Sequence, residues 1–377
     1  MSVATARRRA ALCALLILSM LPACAPTDSA IRHAAPTAVP WPAFQRGVAY
    51  VSFRAGEYRE AASDATLAEY VRPLGANWLG LVVTCYQETL TATAIDCDSP
   101  RTPTDADLAH AIGVAHRLGM RVMLKPHVDT PDAPVRWRGD IGFGADEASW
   151  RAWFASYSAL IARYATLARA HAVEYLVVGT ELVGTSHRDR DWRAVVAAAR
   201  VRYPGPLTYA ANHGEEAHVQ WWDALDAIGV DAYYPLTESD HPTVEQLRAA
   251  WRPIVDRLGA LSRRWGRPVI LTEIGYQSRR GTNRTPWDSG TMPVDLRAQA
   301  DCYQAVFDAF AGQPWWLGVF WWAIEPGRYQ GGAYDGSFTP LNKPAQEILR
   351  TNYAGGPPRP VGDTGQPVPP PRPLAPR

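Results

Sequence analysis

Two segments of one design lie between Val173 and Tyr276, and their reading decides the fold. Val173-Glu-Tyr-Leu-Val-Val-Gly-Thr-Glu181 is a short apolar run that ends on a carboxylate. Pro268-Val-Ile-Leu-Thr-Glu273-Ile-Gly-Tyr276 repeats the plan. β-Branched and aliphatic residues between turn signals mark strands buried on both faces. Such a strand has no reason to end on Glu unless its C-terminal tip opens onto something polar. Two tips of this kind, far apart in sequence, predict one cavity holding a pair of carboxylates.

Working outward, strands and helices alternate. Further strands are expected over 46–53, 76–84, 120–127, 207–212, 227–234 and 317–324. Helical periods fall over 64–74, 105–118, 147–171, 191–202, 244–265, 296–311 and 345–353, with a short helix over 221–225. Eight strands alternating with helices predict a single-domain α/β fold, a (β/α)₈ TIM barrel over residues 45–354. No Gly-rich phosphate loop follows the first strand, which counts against a dinucleotide-binding reading. In a barrel the functional rim lies at the strands' C-terminal ends, so Glu181 and Glu273 share it after the fourth and seventh strands.

The ends of the 377-residue chain have a different character. Arg7, Arg8 and Arg9 precede an apolar run from Ala10 to Met20 and then Leu21-Pro-Ala-Cys24, the pattern of a secretory signal over residues 1–23. Leu-x-Ala-Cys resembles a bacterial lipobox, which implies lipidation of Cys24, attachment to a membrane through that lipid, and export to the outer membrane or cell surface. Residues 24–44 suit a flexible tether. The Pro-rich residues 355–377 suit a disordered tail. Without residues 1–23 the charge is 35 basic against 37 acidic side chains, so nothing favours nucleic acid. Of five Cys, Cys85 and Cys97 bracket a short loop, and an exported protein would pair them as a disulfide. Cys302 falls in a helical pattern. No spacing matches a metal site, and no cofactor is expected. The expected state is a monomer.

Cleaving a glycosidic bond requires one carboxyl group to protonate the leaving oxygen and a second to attack or stabilise the anomeric carbon. Glu after the fourth strand and Glu after the seventh is also the arrangement of the clan A retaining glycosidases. Gly179-Thr-Glu-Leu182, Lys125-Pro-His-Val128, Tyr209-Ala-Ala-Asn212, Asp231-Ala-Tyr-Tyr-Pro-Leu236 and Leu271-Thr-Glu-Ile-Gly-Tyr276 together resemble glycoside hydrolase family 113. The resemblance spans about Arg46–Tyr353. It implies an endo-β-1,4-mannanase-like enzyme acting on a polysaccharide or oligosaccharide, with Glu181 as acid/base and Glu273 as nucleophile. Many clan members carry Asn before the acid/base, where it binds the sugar 2-hydroxyl. Thr180 stands there in this chain as a candidate substrate contact, and Asn212 on the neighbouring strand tip is a candidate for the 2-hydroxyl.

Other rim positions follow from their places at strand ends or in loops and, on the third and eighth strands, from alternation. Tyr234 is placed to donate a hydrogen bond to the nucleophile, with Tyr233 as the fallback. Trp321 and Trp322 must point to opposite faces, and Trp322 is expected to floor the sugar site. Lys125 and His127 share a face and are expected to bind substrate, since a buried Lys calls for a polar role. Trp137 is a candidate sugar platform in the loop after the third strand. Glu325 and Asp335 belong to the loop or the substrate rim. The 15 Trp, several in pairs, suit either core filling or sugar stacking. The alternative is a non-catalytic carbohydrate-binding lipoprotein on the same scaffold. A metal-dependent hydrolase would draw on His127 and His213, but no His-x-His follows the first strand.

Overall fold

The computed structural model describes residues 44–354 except 134, 289 and 328–330. The expected signal, Cys24, nearly all of the expected tether and the Pro-rich tail therefore lie outside the described residues. Eight parallel strands pair in chain order and close: β1 (Gln45–Tyr50), β2 (Trp78–Tyr86), β3 (Arg121–Asp129), β4 (Tyr175–Thr180), β5 (Leu207–Asn212), β6 (Ile228–Asp231), β7 (Val269–Ile274) and β8 (Trp316–Ile324). Helices α1 (Ala61–Thr66), α2 (Asp105–Arg117), α3 (Glu147–Ala170), α4 (Asp189–Arg202), α5 (Val244–Trp265), α6 (Leu296–Phe310) and α7 (Pro344–Ala354) form the outer layer. This is the (β/α)₈ barrel expected from the alternation. Among the described residues no helix is long and apolar enough to cross a membrane.

Capping fixes where helices begin. Thr104 and Asp107 form a reciprocal capping box at α2, Thr243 and Gln246 another at α5, and the Asp146 carboxylate accepts two amides at α3. Each satisfies amides that a helix start leaves unpaired. Gly266, at φ 61°, ends α5 in the left-handed conformation that Gly adopts without strain.

Two cores result from strands buried on both faces. Inside the barrel, Trp78, Met123, Tyr175, Val177, Ile270 and Phe320 pack together below the rim. Gly47 admits Phe320, because a Cβ there would lie 2.3 Å from the Phe320 ring. Between strands and helices lies an aromatic-rich layer. Trp192 and Trp221 stack at 4.9 Å, and Trp150, Trp153, Trp221 and Trp222 are buried. Trp316 and Trp321 are buried too, Trp321 stacked on Tyr303 of α6 at 3.7 Å. These Trp residues fill core volume and do not serve as sugar platforms.

Three expected elements differ. The single helix over 64–74 breaks after α1 into a wide turn, Leu67–Val71, and a tight one, Arg72–Leu74. Pro73 has no amide to bond back to the Glu69 carbonyl, so the regular ladder cannot continue. The helix over 221–225 is a single tight turn, Trp222–Ala224. β6 ends at Asp231 rather than running to Tyr234, because its pairing with β7 shifts register between Val230 and Asp231.

Candidate active site

Glu273 lies near the C-terminal end of β7, with every residue of that strand buried. Lys125 on β3 donates to the Glu273 carboxylate, and also to both carboxylate oxygens of Asp231 on β6 at 2.9 and 3.0 Å. Thr272 Oγ1 donates to Asp231 at 2.8 Å, completing a polar cluster with almost no solvent exposure. His127, two residues beyond Lys125 on the same face, brings Nε2 to 3.4 Å from Glu273 Oε1. Tyr233 donates its hydroxyl to Glu273 Oε2 at 3.0 Å. Burial alone would raise the pKa of Glu273. The charge of Lys125, with the His127 and Lys125 contacts, overrides it and holds the group well below the usual carboxylate range.

Glu181 immediately follows β4, and its environment works the other way. Burial pushes its pKa up to about 7, opposed by Arg138 and reinforced by the negative charge of Glu273. Its backbone takes φ 51°, uncommon for a residue with a side chain. The turn is pinned from β5: the Glu181 amide bonds the Ala210 carbonyl at 2.8 Å, and the Leu182 amide bonds the Tyr209 hydroxyl at 2.8 Å. Tyr209 in turn donates to Glu215 at 2.7 Å, and Glu215 also receives the Asn212 amide.

Arg138, in the loop after β3, links the two halves. Its Nε and Nη2 clamp Asp129 at 2.8 and 2.9 Å, Nη1 donates to His127 Nδ1 at 3.0 Å, and Nη1 lies 3.6 Å from Glu181 Oε2. Burial, with Arg138 and Lys125 nearby, pushes His127 down to about 4, so the ring is neutral near pH 7. Arg can only donate, so Nδ1 is the acceptor and the ring proton sits on Nε2, facing Glu273.

These groups border a cavity of about 590 Å³ lined by His127, Trp137, Arg138, Glu181, Asn212, His213, Tyr233, Glu273, Trp287, Trp322 and Phe338. Glu181, Glu273, Asn212, His127, Trp137 and Trp322 from the sequence reading therefore meet in one place. Trp137 Nε1 lies 3.5 Å from Glu181 Oε2, and Trp322 lies nearly parallel to the His127 ring at 6.3 Å. Lys125 sits beneath the cavity, in contact with Glu273 and not on the lining. Tyr234 requires a correction. Its hydroxyl turns to Glu216 at 2.7 Å, and Tyr233 takes the position at Glu273. Alternation sets Asp231 on the barrel interior and therefore Tyr233, two residues on, rather than Tyr234. Thr180 requires another: its hydroxyl donates to the Pro126 carbonyl at 3.3 Å, and the residue is buried outside the cavity lining.

The sequence reading missed Asp231, Arg138 and Trp287. Asp231 opens one of the quoted motifs, and its place opposite Lys125 on the barrel interior was available from strand alternation. Arg138 and Trp287 lie in loops, where no periodicity fixes direction. Cys85 and Cys97 are joined by a disulfide, with Cα atoms 4.5 Å apart, and Cys302 is free and buried. Among the described residues no group of three or more His, Cys, Asp or Glu side chains is arranged to hold a metal ion.

Two largely enclosed glutamates at a barrel's open end, the pKa of one pushed up and that of the other held down, meet the requirement of glycoside hydrolases for an acid beside a carboxylate. The sequence profile of Glycoside Hydrolase Family 113 matches residues 49–339, and the chain belongs to that family. Solved relatives agree. A β-mannanase of the family from Alicyclobacillus acidocaldarius, in complex with ManMIm, is 32% identical with a TM-score of 0.76, the match covering 83% of this chain and 98% of that one. A family 113 β-1,4-mannanase complex is 26% identical with a TM-score of 0.77, covering 83% of this chain and 100% of the other. A Faecalibacterium prausnitzii β-glucuronidase, 14% identical with a TM-score of 0.56 and matched over 49% of its length and 83% of this chain, shares the fold. No curated protein matches the sequence significantly.

Proposed function

We propose that this glycoside hydrolase cleaves β-1,4-linked, mannan-type polysaccharide with retention, using Glu181 as acid/base and Glu273 as nucleophile. The observation that carries the reading is that Glu181 and Glu273 line one cavity in opposite environments, Glu273 held by Lys125 and Tyr233 and Glu181 enclosed beside Trp137. The mannan preference is supported by family membership and by the β-mannanases among the solved relatives.

In the first step Glu273 attacks the anomeric carbon and forms a glycosyl ester. Glu181 gives its proton to the departing glycosidic oxygen. In the second step the ionised Glu181 takes a proton from water, whose oxygen attacks the same carbon and frees Glu273. Lys125 and Tyr233 hold Glu273 in one orientation, which limits the reorganisation needed for attack. Trp322 supplies an apolar wall for the sugar ring, and Asn212 is the side chain best placed to meet the 2-hydroxyl.

The test is reducing-sugar release from β-mannan, glucomannan, galactomannan, xylan and β-glucan, by wild type and Glu273→Ala. Release from mannans by wild type, lost by at least a thousandfold in the variant, is the expected result, on the order of the loss that follows removal of a covalent nucleophile. Cleavage confined to xylan or β-glucan would overturn the substrate. Binding of a glycan with no cleavage by wild type would overturn the enzyme in favour of a carbohydrate-binding protein.

A further inference from the structure

We propose that Tyr209 and Glu215 are positioning residues for the acid/base. They form a hydrogen-bond relay that fixes the backbone turn aiming Glu181, and the same Glu215 carboxylate fixes the strand tip that carries Asn212. This rests on the reading of Glu181 as acid/base and adds the device that holds it in place.

The turn needs holding. At φ 51° Glu181 lies in a region that a residue with a Cβ keeps only where its surroundings over-determine it. Its own amide bonds the Ala210 carbonyl at 2.8 Å, which fixes the peptide before it. The peptide after it is held by a side chain, since the Leu182 amide donates to the Tyr209 hydroxyl at 2.8 Å. The orientation of that second peptide is the ψ of Glu181. Strand and hydroxyl together therefore set the direction in which the carboxyl group leaves the backbone. The hydroxyl has one proton, and because its oxygen accepts from Leu182 the proton points to Glu215 Oε1, 2.7 Å away. Glu215 Oε2 accepts the Asn212 amide at 2.8 Å. One carboxylate thus ties the turn after β4 to the tip of β5.

The surroundings are shaped for this relay. Gly179 admits the Tyr209 ring, because a Cβ there would lie 2.9 Å from it. Trp192 and Trp221 meet that ring edge to face, with centroids 5.2 and 5.1 Å away. Gly214, at φ 91°, turns the chain after β5 so that Glu215 faces back to the strand tip. Tyr209 and Glu215 are both buried. Burial disfavours the charged form of Glu215 and pushes its pKa up to about 7. An apolar side chain would fill the same layer without that cost, but it would offer neither acceptor.

The experiment compares kcat/KM for β-1,4-mannotetraose and 2,4-dinitrophenyl β-1,4-mannobioside in wild type, Tyr209→Phe, Glu215→Gln and Glu181→Ala. A sugar must be protonated as it leaves, whereas dinitrophenolate leaves as the anion, so a misplaced acid slows only the first substrate. Tyr209→Phe keeps the ring and removes the hydroxyl, and Glu215→Gln keeps the shape and removes one acceptor. Each is expected to lower the mannotetraose value roughly tenfold, part of the hundred- to ten-thousandfold or so that a general acid supplies. The dinitrophenyl value should change less than about twofold, because that step needs no acid. Equal loss on both substrates in these two variants marks general damage to the cavity and would overturn the relay, as would no change on either. Equal loss on both in Glu181→Ala would instead overturn the acid/base assignment, and a wild type inert on both the mannan-type hydrolase reading. Crystal structures of wild type and Tyr209→Phe then decide the relay separately. A displaced Glu181 carboxyl group supports it, and an unmoved one overturns it.

Discussion

Glu181 is expensive for the fold twice over. Its φ of 51° costs on the order of 1 kcal/mol for a residue with a Cβ, and its carboxyl group is taken out of water. Because the folded pKa is raised, from 4.5 to about 7, the protonated form gives stability that is fully present below the unfolded pKa. That stability is lost as pH rises through the folded value. The shift corresponds to about 3 kcal/mol lost between acid and neutral pH. The amide of Glu181→Gln cannot ionise, so the variant should melt several degrees above wild type at pH 8, with the gap closing at pH 4. A gap that does not change with pH would contradict the buried proton. On the same samples, wild-type kcat/KM should fall as pH rises through about 7, with no acid limb inside the ordinary carboxylate range, since Glu273 is held ionised.

Elements reward sequence reading unevenly. β2, β3, β7 and β8 were legible because runs of Val, Ile, Leu and Trp bounded by turns have few other uses. Lys125 and His127 were correctly set on one face because β3 is unbroken over its nine residues. β6 was read too long, since it stops at Asp231 where its pairing with β7 slips. The alternation that sets Asp231 inward carries on to Tyr233, so strand period favoured Tyr233 over Tyr234 beside Glu273. The loop after β2 gives a prediction at this scale. Tyr86 and Asp96 exchange backbone bonds at 2.8 and 2.7 Å, and the disulfide closes the same loop across a sequence separation of 12. Closing a loop of this length removes about 3 kcal/mol of unfolded-state freedom. Reduction, or Cys97→Ala, should therefore lower the melting temperature by several degrees and leave mannan cleavage intact, since neither Cys lines the cavity. An unchanged melting temperature would count against any stabilising role for the bridge.

For the whole molecule, the order of eight strands and the rule that function gathers at their C-terminal ends put both glutamates on one rim from sequence alone. What could not be read is how loops fold back over that rim. Arg138 reaches Asp129, His127 and Glu181 from a segment with no period, and Trp287 enters the cavity from beyond β7. The aromatic pairs stayed open between core filling and sugar stacking for a related reason, since a Trp in a strand has two faces available and composition does not choose between them. Beyond the barrel, we propose that the protein is exported and anchored by lipid on Cys24, a reading supported by Arg7–Arg9, the apolar run to Met20 and the Leu-x-Ala-Cys sequence. Cells fed labelled palmitate should yield labelled protein in the membrane fraction, and Cys24→Ser should abolish the label. Label retained by that variant would refute the anchor.

The Lys125, Asp231, Glu273, His127, Arg138, Asp129 and Glu181 side chains form one continuous contact path across the barrel mouth. In the proposed double displacement the negative charge disappears from Glu273 as it becomes an ester and appears on Glu181 as it loses its proton. The total is the same before and after, and only its centre of gravity moves, from the Lys125 side towards Arg138. No ion need enter or leave the site, because the countercharges for both states are already built in at opposite ends. The reaction is thus isoelectric within the cluster, and the rate of the chemical step should be nearly indifferent to ionic strength even though every participant in it is charged or becomes so.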